Sequence, residues 1–301
     1  MMEITIWDYG NIVSRWLIYI GISAAIGGPF IAALINSSVN KKSIISYIIS
    51  SSVLGFIAVI INFFIQVGAF SETGLSGIFD PEMIGFLWQS PVGDSVLWRL
   101  LAFTVLGFAL LLGNLNTIYI TFNFKHAIFI FLYVAAIVSF AYSFTFVGHS
   151  ASMGLLTKWL LGFHIFTMAW WMGALYPLWL SCKLLQPPAL HKLMYLFGQI
   201  AMFMVGLLIV CGIALIFLFF ANPLELFTTR YGQILLLKLI FVISILLIAA
   251  YHKYHLVEEV QQENISHKLQ NSLKNEIVIA LIILAITAVL SCVLGPASLT
   301  Y

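Results

Sequence analysis

Apolar residues run in long blocks along this chain, broken by short polar segments, and none of the blocks shows the period-two alternation of a membrane strand. Crossing about 30 Å of hydrocarbon takes roughly 20 residues of helix. Eight blocks meet that length, at about 12–36, 44–69, 95–113, 118–146, 155–181, 192–220, 231–251 and 275–295. Helix is the expected conformation, because lipid cannot satisfy backbone polar groups and a helix satisfies them internally. The expectation is therefore an all-α, polytopic integral membrane protein of about eight transmembrane helices, forming a single membrane domain over 1–301.

The polar segments between the blocks alternate in charge. One set carries Lys41, Lys42, Lys125, Lys183, Lys192, Lys253, Lys268 and Lys274, while the other carries only Lys158 and Arg230. The positive-inside rule puts the lysine-rich set in the cytoplasm. Both termini then face outside, together with the acidic loop of Glu72, Asp80 and Glu82. Glu3 and Asp8 stand where a signal peptide would be basic, so the first block is expected to be a retained span.

Two blocks that start on the outer side share an entry pattern. Ser90-Pro91-Val92-Gly93 is followed by Arg99, and Thr229-Arg230-Tyr231-Gly232 is followed by Lys238 at the same distance. The two lie four spans apart. A 4+4 parallel repeat, with halves 1–150 and 151–301, would explain the match and would pair the Gly27-Gly28 span with the Gly173 span.

Composition sharpens the class. Residues of the hydrophobic type make up 62% of the chain and charged residues 8%, against about 25% charged in an average soluble domain. A net charge of +2 without a basic run argues against a nucleic-acid footprint. Cys182, Cys211 and Cys292 lack CxxC spacing, so neither a disulfide framework nor a zinc knuckle is expected.

Against this background a few side chains carry chemistry. His164 is followed by Met168 and Met172 at steps of four, which puts one imidazole and two thioethers on a single helix face. Those donors suit Cu(I), a soft ion. Methionines alone read more readily as core filler, but an ionisable residue deep in a span is more often functional. His149 and Met153, in the loop Gly148-His149-Ser150-Ala151-Ser152-Met153, are positioned to collect an external ion, the alternative being an ordinary solvated loop. Arg15, Arg99 and Lys238 lie one to two turns inside their spans, either as snorkelling anchors paired with Asp8, Asp94 or Glu225, or as part of an anionic or proton-linked pathway. Met202 and Met204 point to different faces of their helix, so at most one joins a path, and Cys211 lies on the same span. His252 and His255 read as interfacial residues at the cytoplasmic end of the seventh span.

Taken together, Ser90-Pro91-Val92-Gly93 to Arg99, Gly148-His149, Phe163-His164 with Ala169-Trp170-Trp171-Met172-Gly173, and Tyr231-Gly232 to Lys238 resemble the copper resistance protein D (CopD) family of bacterial membrane proteins. The resemblance implies an eight-helix protein of copper uptake in the inner or plasma membrane, often working beside a small external CopC-like copper-binding protein. It supports His149 and His164 as functional positions and says less about Met168 and Met172. Ala174 departs from the family, which often has a second glycine there, and close helix packing at that point is less expected.

The expected function is copper transport, most simply import, along His149, Met153, His164, Met168 and Met172, with no catalysed covalent chemistry. No Walker loop is present, so a gradient, the membrane potential or an intracellular copper sink would drive it. Two rivals belong to other classes: a b-type haem or other redox carrier, recognisable by its visible spectrum, and a non-transporting copper sensor or assembly subunit, recognisable by absence of flux.

Overall fold

The computed structural model describes residues 5–35, 38–112, 124–148, 153–220, 222–257 and 263–292. Among the described residues ten α-helices run in chain order: α1 (Ile6–Leu34), α2 (Ser38–Ser71), α3 (Pro81–Trp88), α4 (Pro91–Leu112), α5 (Phe124–Ser143), α6 (Leu155–Leu184), α7 (Pro187–Phe219), α8 (Glu225–Thr228), α9 (Arg230–Tyr251) and α10 (Glu263–Cys292). No strand occurs among the described residues. α3 and α8 are short, and the other eight follow the eight apolar blocks.

Six of those eight (α1, α2, α4, α7, α9 and α10) are long and apolar enough to cross a membrane on composition alone, and α5 contributes the shorter apolar stretch Ala127–Ser143. α6 is as long as the rest but carries Lys158, His164, Trp170, Trp171 and Gly173 in place of aliphatic residues. Its composition reflects its position, since it packs against α1, α5, α7 and α10 and needs less apolar surface for lipid. The chain is a multi-pass membrane protein.

α1 and α6 form the centre. In α1 the most apolar stretch is 72% buried, against 6% in α9, which fixes α1 as interior and α9 as lipid-facing. Small residues make the interior position possible, because lipid gives no hydrophobic drive and helices gain instead by close van der Waals contact. Gly27 faces the backbone of Trp170, Gly173 and Ala174, and Gly173 in turn faces the Ser23 carbonyl, so an added Cβ at either glycine would overlap main-chain atoms. Ala174 does not loosen this crossing. It is fully buried within it, contrary to the expectation drawn from its sequence.

α1 is also tied to α10, where the Trp16 indole Nε1 donates to the Leu281 carbonyl at 3.0 Å. Thr5 and Asp8 close its first turn as a capping box.

The entries to α4 and α9 are built alike. Each follows a short helix and has glycine as its third residue, Gly93 against the Trp88 backbone and Gly232 against the Glu225 and Leu226 backbone. The short helix α3 was not anticipated from the sequence. Asp80 caps it, its side chain accepting from Glu82 N and Met83 N, with Pro81 as the first helical residue.

Candidate functional site

Between α1, α4, α6, α7, α9 and α10 lies a cavity of about 550 Å³. It occupies the half of the bundle nearest the face where α1, α4, α6 and α9 begin, called here the N-terminal face. Arg15, Arg99, His164 and Lys238 all line it. Each sits eight or nine residues into its helix, so at 1.5 Å per residue their Cα atoms share a layer roughly 12 to 14 Å below that face. Much of the remaining wall is aliphatic, from residues such as Leu161, Ile165, Ile209 and Leu246.

His164 is held by α7. Its Nδ1 stands 3.3 Å from the Leu208 carbonyl oxygen. A carbonyl can only accept, so that contact assigns the hydrogen to Nδ1 and leaves the Nε2 lone pair available, the arrangement used by metal-binding histidines. Gly212, one turn further along α7, makes room for the ring: a Cβ there would sit 3.2 Å from His164 Cε1.

Met168 and Met172 line the same cavity as His164, so the stripe expected from the spacing of four does face one space. Both thioethers also pack on the cluster of Tyr19, Leu284 and Ala288. They therefore fill core and border the cavity at once.

The two arginines reach back toward the N-terminal face. Arg15 Nη1 donates to the Ser291 carbonyl at 2.8 Å, and its Nε is buried without a partner. Arg99, only 5% exposed, donates from Nε to Ser143 Oγ at 3.3 Å and lies over the Phe144 ring, 4.8 Å from its centre. The expected pairing of these cations with Asp8, Asp94 or Glu225 does not occur. Asp8 is engaged with Thr5, and the ion pair of His252 with Glu276 involves none of these residues. Among the described residues no aspartate or glutamate lines the cavity.

Other expectations fare differently. His149 lies outside the described residues. Met153 is half-buried in the loop before α6 and does not line the cavity. Met202, Met204 and Cys211 also stay out of it; Met202 instead meets the Lys253 ammonium, while Met204 and Cys211 are buried. Of the pair read as interfacial, His255 is exposed and stacks on Tyr251. His252 is not: its Nδ1 is 2.8 Å from Glu276 Oε1, with both side chains buried. A π-turn spans His252–Leu256, an insertion that the 3.6-residue period of the preceding helix does not signal.

Among the described residues no three His, Cys, Asp or Glu side chains gather within reach of one metal ion. A metal at His164 would thus depend on the thioethers for further donors.

Comparison with protein families separates the chain into two matched parts. The profile described as copper resistance protein D-like, N-terminal domain, matches residues 4–159, more than half of the chain, and the profile for copper resistance protein D matches 191–290. The chain belongs to the copper resistance protein D family. Neither the curated proteins nor the solved structures yield a match. Membership makes this a copper-resistance membrane protein, and it bears on the cavity because α6, which carries His164, falls mostly between the two matched segments. α1 and α4, with Arg15 and Arg99, fall in the first, and α9, with Lys238, in the second.

Proposed function

We propose that the protein carries copper inward across the plasma (inner) membrane, with Cu(I) as the ion handled and His164 as its central ligand. One observation carries the proposal: an imidazole whose Nδ1 is committed to a backbone carbonyl opens onto a cavity that two thioethers also border. Imidazole with thioether is a soft donor set that favours Cu(I) over Mg²⁺, Ca²⁺ or Mn²⁺. The N-terminal face is the outside, as the lysine asymmetry requires. On that reading His149 and Met153, which precede α6 in the chain, receive copper, either free or from a separate CopC-like protein. The matched entries to α4 and α9 support a 4+4 repeat. No covalent step is assigned to the chain.

Copper uptake into proteoliposomes, normalised to folded protein, tests this. His164→Ala is expected to abolish uptake while leaving insertion intact, because one small uncharged residue is tolerated in so apolar a span. Normal uptake per folded molecule in that variant would remove His164 from the path. Copper bound but never released inward would instead identify a sensor or assembly subunit, and a strong haem absorption band a redox carrier.

A further inference from the structure

Three cations share the cavity with His164, and no aspartate or glutamate is among the described residues that line it. Arg15, Arg99 and Lys238 come from three different helices, α1, α4 and α9. Arg15 keeps a buried, unpartnered Nε. Arg99 is nine-tenths buried or more, with a serine hydroxyl and an aromatic face as its neighbours. Lys238 forms no ion pair among the described residues. Such a constellation repels a bare copper ion, since like charges in a low-dielectric site interact strongly. The same site attracts anions, because desolvated guanidinium and ammonium groups bind them through charge-assisted hydrogen bonds. Its aliphatic wall favours an anion that loses its water easily. Its volume of about 550 Å³ is many times the roughly 30 Å³ share of one water molecule, so it has room for an ion together with its own ligands.

We propose that the cavity is an anion site and that copper reaches His164 as a net-anionic cuprous complex with halide-type ligands, of the dichlorocuprate kind. This rests on the copper reading above and specifies the form of the cargo. Arg15, Arg99 and Lys238 hold the anionic ligands, and the free Nε2 of His164 and the sulfurs of Met168 and Met172 take over the metal as those ligands are exchanged. The exchange replaces Cu(I)–halide bonds by Cu(I)–nitrogen and Cu(I)–sulfur bonds without change of oxidation state, and the halides remain with the three cations.

Two readouts on the detergent-purified full chain test the proposal. Cu(I) affinity, measured by competition with a chromogenic cuprous chelator, is compared in chloride and in gluconate at equal ionic strength. Affinity is expected to be about tenfold higher in chloride, with the difference lost in Lys238→Met and kept in Lys238→Arg. Equal or weaker binding in chloride, once the chelator's own chloride dependence is corrected, overturns the anionic cargo. The second readout needs no copper. Trp171 lines the cavity, so iodide is expected to quench a saturable part of the tryptophan fluorescence that disappears in Trp171→Phe and weakens in Lys238→Met or Arg99→Gln. Saturable quenching without any copper binding would retire the copper reading and keep the anion site. Absence of a saturable component in a folded protein would overturn the site itself. Anionic phospholipid is the other source of the same chemistry: if added phosphatidylglycerol abolishes the iodide effect while phosphatidylcholine does not, and chloride leaves Cu(I) affinity unchanged, the cations hold a lipid phosphate and the cuprous-anion proposal falls.

Discussion

The imidazole of His164 is oriented by residues of a neighbouring helix. Leu208 fixes its tautomer through a carbonyl, and Gly212 leaves space for its edge. Gly212→Leu fills that space, because even the first added carbon would stand 3.2 Å from the ring. The ring must then tilt away from its Leu208 contact. The expected outcome is a folded protein whose copper uptake per molecule falls toward that of His164→Ala, and uptake at the wild-type level would show that ring orientation is unimportant. Met168→Leu is expected to reduce uptake by less than His164→Ala, since leucine keeps volume and apolar character while removing only the sulfur. Loss equal to that of His164→Ala, at unchanged folded yield, would make the thioether a ligand of equal weight. The stripe of His164, Met168 and Met172 was legible in the sequence because residues four apart share a helix face. Leu208 and Gly212 were not. They contribute a backbone carbonyl and an absence of side chain, neither of which marks a residue as chemical.

Among the elements, the crossing of α1 and α6 carries the architecture. Gly27 and Gly173 bring main chains into direct contact there, and Trp170 and Trp171 of α6 are buried beside them. Gly173→Leu would drive a side chain into the Ser23 carbonyl of α1, an overpacking for which about 1 to 3 kcal/mol is usual and more is expected when backbone cannot yield. Folded yield after detergent extraction should drop sharply. Wild-type yield together with wild-type uptake would remove Gly173 from the packing account. The spans themselves followed the apolar blocks closely. Their ends did not: α10 begins at Glu263 rather than near 275, and α3 lies in a segment read as loop. Polar residues beyond the hydrocarbon still form helix when capped or continued from an existing one, and hydropathy is blind to that.

The assembled molecule has one face carrying most of the lysines and another onto which the cationic cavity is displaced. With the lysine-rich face inward, Ser76→Cys, on the exposed loop before α3, should react with a membrane-impermeant maleimide from outside intact cells. Lys192→Cys, exposed at the start of α7, should react only after permeabilisation, with the native cysteines replaced in both. The reverse pattern would invert the orientation and turn the cavity toward the cytoplasm. By itself the sequence determined the all-helical membrane fold, the order of the spans and the stripe on α6. These depend on local composition and on the fixed period of a helix, which lipid enforces by leaving no other way to satisfy the backbone. Only the tertiary structure decided that three cations from three separate helices share a cavity with His164, that their expected carboxylate partners lie elsewhere, and that Glu276 rather than solvent meets His252. Those outcomes depend on which helix faces which, and that is set by the small-residue contact of α1 with α6, since close packing rather than polarity selects the neighbours of a helix in lipid.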